Sequence, residues 1–237
     1  VTDGGAPSPS LPAERRRAVL RQGLSVGVAT GAYGISIGAL AVAAGLSLWQ
    51  AMALSLLLFS GGSQFALVGV IAAGGSGAAA ITTSTLLGIR NGLYGLQVSR
   101  ILGAHGLRRL AAAQLTIDES TAVAVGQPEP AASRLGFWVT GGAVFVLWNL
   151  MTFVGALIGD LLGDPRQYGL DAAAAAAFCA LLWPRLRSSD GRAAAAVAAV
   201  LALLVAPAAP AGIPVLVAAV AAVVVGLRPG RPAPATR

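Results

Sequence analysis

Lysine is missing from this 237-residue sequence; all sixteen basic residues are arginine. Cysteine occurs once, as Cys179, so no disulfide can form within the chain. Set in an apolar run, Cys179 reads as a small packing residue. The single histidine, His105, sits beside arginines and reads as a surface group rather than a proton relay. With so few thiols and imidazoles there is no cluster to hold a metal. A phosphate-binding Gly-rich loop and a Gly-x-Ser-x-Gly elbow are also missing, so neither an enzyme, ATP hydrolysis nor a cofactor is expected. Charge is scarce as well, at 11% of residues where soluble domains carry about 25%.

What the chain has in abundance is apolar residues, at 56%, with a mean hydropathy of +0.77. They fall into runs at 23–44, 50–73, 77–104, 135–159, 168–184, 193–208 and 211–227. Several reach the ~20 residues that span a hydrocarbon core. The ~10-residue alternation of a membrane β-barrel does not occur. The expected fold is therefore all-α, a polytopic transmembrane bundle of about six to seven segments. Residues 1–14 read as a disordered tail, 15–227 as one transmembrane domain and 228–237 as a second tail. The segment before the first run is Pro/Ser-rich and then basic, and that run is too long for the core of a cleavable signal peptide.

The net charge of +7 does not imply nucleic acid, because the arginines punctuate the apolar runs instead of lining a polar face. They report topology. Arg15, Arg16, Arg17 and Arg21 precede the first run, which places the N-terminus in the cytoplasm. Arg100, Arg108, Arg109 and Arg134 fill the long middle interval; Arg185, Arg187 and Arg192 follow the fifth run; Arg228, Arg231 and Arg237 end the chain. If all these loops are cytoplasmic, fourteen of the sixteen arginines obey the positive-inside rule, leaving Arg90 and Arg166. Seven full crossings conflict with that assignment by one crossing. A break in run 77–104 at Gly88-Ile89-Arg90-Asn91-Gly92, making it enter and leave on one side, removes the conflict. The alternative is a short crossing by 110–127, carrying Asp118 and Glu119. A weak echo between 34–59 and 153–182 suggests an internal repeat. The richness in arginine, alanine and glycine points to a GC-rich bacterial genome, and so to a bacterial plasma membrane with both termini cytoplasmic.

Arg90 is the sharpest single feature. A guanidinium at mid-membrane costs at least ~2.5–3.5 kcal/mol on insertion scales, so it needs a partner or water. Asp118 and Glu119 are the nearest candidates, followed by Asp171; either a structural ion pair or an anionic substrate group would satisfy it. Ser60, Gly61, Gly62, Ser63 and Gln64, ahead of Phe65, interrupt another apolar run. They would either unwind a helix beside a substrate or cement helix contacts. Gly23, Gly27 and Gly31 recur every four residues, followed by Gly34 and Gly38, the spacing of close helix contact or of a broken helix lining a path. Trp148, Asn149 and Thr152 suit interhelical hydrogen bonds or a pocket wall equally, whereas Asp160 and Asp164 read as loop residues.

Five segments in order resemble the AzlC-like branched-chain amino acid permeases: AGLS (44–47), SGGSQF (60–65), RNGLY (90–94), IDESTA (117–122) and GLDAAAAAAFCALLWP (169–184). The resemblance covers about residues 20–227. The chain departs from the family pattern at Gly88, where an acid or amide is usual, at Asn91, where histidine is common, and at Ile117, where threonine is usual. It also lacks the proline that the family often has in the first run. The resemblance implies a secondary exporter of branched-chain or related apolar amino acids, working with a small AzlD-like membrane subunit. The expected substrate site comprises Gly61, Gly62, Ser63, Gln64, Phe65, Arg90, Asn91 and Tyr94, with Asp118 and Glu119 for proton coupling. The competing expectation is a passive channel or a scaffold subunit without a substrate site.

Overall fold

The structure is a computed structural model that describes residues 11–162, 179, 182–210 and 212–226. The expectations for most of the tail at 1–14, Asp164, Arg166, Asp171, most of the run at 168–184, most of the second half of the internal echo and residues 228–237 lie outside the described residues. All regular structure among the described residues is helical. The helices are α1 (Ala13–Ala32), α2 (Gly34–Ala43), α3 (Leu48–Leu57), α4 (Gly61–Ala72), α5 (Gly77–Leu102), α6 (Gly106–Gln114), α7 (Asp118–Val125) and α8 (Pro130–Leu162). A 3-10 turn at Trp183–Arg187 precedes α9 (Ser189–Val205) and α10 (Ile213–Gly226). Among the described residues two stretches are long and apolar enough to cross a membrane, Ala13–Ala43 and Pro130–Gly159.

Those two stretches pack side by side along their glycines. A methyl group at Gly27 would lie 2.6 Å from the Ala143 Cβ, and one at Gly31 would lie 2.5 Å from the Leu147 Cβ. The contacts advance together, Gly23 with Thr140, Gly34 with Met151 and Gly38 with Thr152, so α1–α2 and α8 run parallel. The glycine stripe is thus a close-contact seam, with backbones too near for side chains. Arg15 at the start of α1 pairs with Glu129 at the start of α8, at 3.1 Å. Arg134 donates to the Ile101 carbonyl at 2.9 Å, which brings the end of α5 to the same end of the bundle.

The direction of every intervening helix follows from its contacts. Ser55 lies against Thr152 and Phe59 against Phe145, so α3 descends along α8 from the far end. It stops at Leu58, Phe59 and Ser60, where the backbone leaves the helical region. Gly62 then faces Arg90, Gly88 faces Ser63, and Val70 and Ala79 share a contact with Gly212, so α4 climbs back antiparallel to α5. Together α3 and α4 form a hairpin that enters from the far end, turns at mid-height and leaves by the same end.

A second hairpin mirrors it. Arg108 and Arg134 line one cleft near the arginine-rich end, while Ala113 and Thr116 line another with Gly92 and Gly95. So α6 rises along α5. Ser120 lies at the level of Gly141 and Val123 at that of Gly136, so α7 descends again. Its tip, Leu115–Ile117, meets the first tip: Gln114 Nε2 donates to the Leu56 carbonyl at 2.8 Å.

This corrects the expected break at Gly88–Gly92. Helix α5 runs unbroken for 26 residues, from an N-cap in which Ser76 accepts from the Ala79 amide to a left-handed Gly103 at φ +54°. A mid-helix glycine costs only about 1 kcal/mol relative to alanine. Arg90 also needs no break, because an acidic side chain reaches it within the bundle. The run that turns back is 50–73, and 110–127 is a second turned-back hairpin rather than a crossing. Nor are Gly61–Gln64 unwound: they form the first turn of α4, and the interruption lies just before them. Cys179, expected to pack, is exposed.

Candidate functional site

Both hairpin tips deliver the N-terminus of a short helix to one place at mid-height. In α4 that first turn is Gly61, Gly62 and Ser63, and the preceding Ser60 supplies no side-chain cap to it. Helix N-termini expose amide donors and carry a partial positive charge. In α7 the first turn is Asp118 and Glu119, whose carboxylates suit that end of a helix. Around the two tips the walls are Thr30 and Tyr33 at the α1–α2 junction, Arg90 and Asn91 of α5, and Val144 and Trp148 of α8.

Each tip is held by a polar side chain in the helix that leaves it. Gln64 is fully buried; its Nε2 donates to the Leu58 carbonyl at 2.7 Å and its Oε1 accepts from Trp148 Nε1 at 2.9 Å. It adds a second donor to a carbonyl that the Ser60 amide also reaches, lies 3.4 Å from the Ser55 carbonyl in the last turn of α3, and ties the tip to α8. In the second hairpin Ser120, also fully buried, donates to the Leu115 carbonyl at 2.6 Å and accepts from the Ile117 amide at 3.2 Å. Tyr33 stands edge-on to Trp148 at 5.0 Å, and Phe65 backs the same indole at 6.3 Å.

The charged centre is Arg90, whose Nη2 lies 3.0 Å from Asp118 Oδ2. Gly62 makes room for it, since a methyl there would stand 2.8 Å from Nη2. Arg90 Nε and Asn91 Oδ1 are buried without a hydrogen-bond partner, one a donor and the other an acceptor. Glu119 lies within electrostatic reach of Asp118 and Arg90 and within hydrogen-bonding reach of Thr30. Free donors, free acceptors and opposite charges therefore share one chamber. Its volume is about 30 Å³, room for a water-sized group. On the other side of the ion pair a much wider cleft of about 760 Å³ is lined by Leu87, Tyr94, Gln97 and Thr121, and again by Arg90 and Asp118. The ion pair is the wall between the two.

The structure thus brings Gly61, Gly62, Arg90, Asn91, Asp118 and Glu119 to one chamber. Tyr94 lies in the adjoining cleft instead. Ser63 accepts from Ser60 Oγ at 3.3 Å and is fully buried behind the chamber wall. Gln64 spends its amide on the tip, and Phe65 packs behind Trp148. Thr30 stands in the sequence only as a polar neighbour of the first run's glycines, and Tyr33 escaped the sequence reading, because only the fold brings the α1–α2 junction to this level. Ser120 lay within the IDESTA segment, but nothing in the sequence separates a hairpin clasp from an ordinary helical serine. Thr152, by contrast, meets Ser55 as an interhelical polar contact at 3.4 Å.

A family model described as AzlC protein matches residues 25–162, which contain both hairpins and every residue of the chamber. No curated protein and no solved structure matches the chain.

Proposed function

The chain belongs to the AzlC family, and on that premise we propose that it is a secondary exporter of branched-chain or related apolar amino acids rather than an enzyme. The family is associated with branched-chain amino acid transport. The observation that carries the reading is the meeting of the two hairpin tips at Arg90 and Asp118. Half-helices whose N-termini converge at mid-depth are a recurrent way for transporters to hold charged substrate groups. A zwitterion fits the unsatisfied chemistry. Its carboxylate takes the Arg90 guanidinium and the open amides of Gly61 and Gly62, while its ammonium takes Asn91 Oδ1 and Glu119. Tyr33 and Trp148 offer the apolar wall for an aliphatic side chain.

The chamber is far below the ~300–1,000 Å³ of ordinary ligand sites, so the conformation described is a closed one. Substrate entry requires the Arg90–Asp118 pair to part, which joins the chamber to the wide cleft. The substrate carboxylate replaces Asp118 as the partner of Arg90, so the guanidinium is never left bare. Glu119 is the candidate proton carrier. The arginine-rich end faces the cytoplasm of a bacterial plasma membrane, where the positive-inside rule puts it. The remaining apolar runs complete a multi-pass bundle, and a small AzlD-like membrane subunit joins it.

The test is flux from proteoliposomes holding the purified chain with its partner. Saturable, gradient-driven leucine or valine export, lost in Arg90→Ala and Asp118→Asn, is the expected result. Unchanged export in both variants defeats the site assignment. Non-saturable flux favours a channel, and no flux with normal assembly favours a scaffold.

A further inference from the structure

A second cavity lies at the arginine-rich end, away from the chamber. It measures about 540 Å³ and opens where the end of α5, the start of α6 and the start of α8 diverge. Three basic side chains line it, His105, Arg108 and Arg134, and no carboxylate does. The two ion pairs of the described residues, Arg15–Glu129 and Arg90–Asp118, leave both of these arginines unpaired with acid. Arg134 is anchored by its Nε on the Ile101 carbonyl at 2.9 Å, which holds the guanidinium at the cavity mouth with its outer edge available.

The rest of the lining is apolar: Leu102, Leu135 and the ring of Trp138. Next to it, α6 turns Leu107 and Leu110 outward, 83% and 68% exposed, alongside the exposed Arg108 and Arg109. An amphipathic helix with arginines and outward leucines suits the boundary between headgroups and acyl chains. Tryptophan is enriched at the same level.

We propose that this cavity binds the phosphodiester headgroup of an anionic lipid, held by Arg108, Arg134 and His105, with an acyl chain along Leu102, Leu135 and Trp138. Arginine suits phosphate because its planar fork donates two parallel hydrogen bonds. Basic pockets between membrane helices on the cytoplasmic side are a known form of lipid recognition. The choice of a lipid over a free phosphate rests on the apolar half of the lining, which an inorganic ion would leave unused. The proposal relies on the membrane setting of the family but not on the substrate chamber. The bound lipid would pin the α5–α6 turn to the first turns of α8 at one leaflet.

The experiment is native mass spectrometry of the full chain in detergent, titrated with phosphatidylglycerol, phosphatidylcholine and inorganic phosphate. Retention of phosphatidylglycerol over phosphatidylcholine is expected. Arg108→Ala, which touches no hydrogen bond seen in the structure, should lower that retention about fivefold, the scale of one arginine near an anionic surface. Arg108→Lys should recover part of it, and inorganic phosphate should not displace the lipid. Equal retention of the two lipids, an unchanged Arg108→Ala variant, or displacement by inorganic phosphate would each overturn the proposal. Leucine flux measured in parallel keeps the two readings apart, since loss of lipid retention with intact flux, or the reverse, strikes only one of them.

Discussion

Gln64 and Arg90 divide the labour at the centre of the bundle. Gln64 is a clasp: its carboxamide binds the Leu58 carbonyl at the end of α3 and the buried indole of Trp148 together. Gln64→Leu keeps the volume but orphans the buried indole N–H, at about 1–3 kcal/mol, and leaves the Leu58 carbonyl with the Ser60 amide alone. The expected outcome is a lower melting temperature in detergent, and an unchanged one refutes the clasp. Arg90 instead faces the chamber and keeps an unsatisfied Nε beside the unsatisfied Asn91 Oδ1. Arg90→Lys retains the charge and loses the fork, so it should fold yet raise the apparent KM for export by about tenfold or more, the scale of a charge-assisted hydrogen bond. An unchanged KM would place the carboxylate elsewhere. Glu119→Gln keeps an oxygen for the substrate ammonium but loses the titrating proton, so it should flatten the pH dependence of export while leaving exchange measurable at a raised KM, and a full pH response in that variant moves coupling to another group. Arg90 was legible because charge in an apolar run is costly and therefore conspicuous. Gln64 was legible as polar, but its role was not, because a clasp and a ligand differ only in which way the amide points once the chain has turned.

Between α1–α2 and α8 the seam is decided by hydrogen atoms. Gly27, Gly31, Gly34 and Gly38 each meet the backbone or a Cβ of α8 so closely that a side chain has no place. Gly27→Val puts its branch against Ala143, where a methyl alone would stand 2.6 Å from the Ala143 Cβ. Overpacking of this kind costs about 1–3 kcal/mol, so Gly27→Val should lower thermal stability measurably, whereas Gly69→Ala, with open space around it, should not. Equal effects from the two substitutions would dissolve the seam. The four-residue spacing announced this contact, because only one helix face carries the glycines. The hairpins were harder to read. A predominantly apolar run of 24 residues from 50 to 73 has the length of a crossing, and the interruption at Leu58–Ser60 contains no proline and precedes the glycines rather than including them. Hydropathy measures how much apolar chain there is, not whether it turns round.

Direction along the bundle is where the two accounts of the chain part most sharply. The arginines required one crossing to be lost, and the structure agrees that a run turns back, but moves the turn from 77–104 to 50–73. The two arrangements differ at a single testable point. With the turn in 77–104, the loop at residue 73 lies on the arginine side; with the turn in α3–α4, it lies opposite. Ala43, Ala73 and Ala131 are all exposed and lie at or beside helix ends, so each accepts a cysteine in a Cys179→Ser background. A membrane-impermeant maleimide applied to intact cells should label Ala43→Cys and Ala73→Cys and spare Ala131→Cys, with the pattern reversed in inverted vesicles. Sparing of Ala73→Cys together with Ala131→Cys in intact cells, with both labelled in inverted vesicles, would restore the break at Arg90 and dismantle the hairpin pair. The outcome also bears on transport, because only opposed hairpins bring two helix N-termini to Arg90 from the two sides of the bundle. On the proposed reading, a substrate held there is separated from either side by one short helix pair, and parting the Arg90–Asp118 pair joins its chamber to the adjoining cleft.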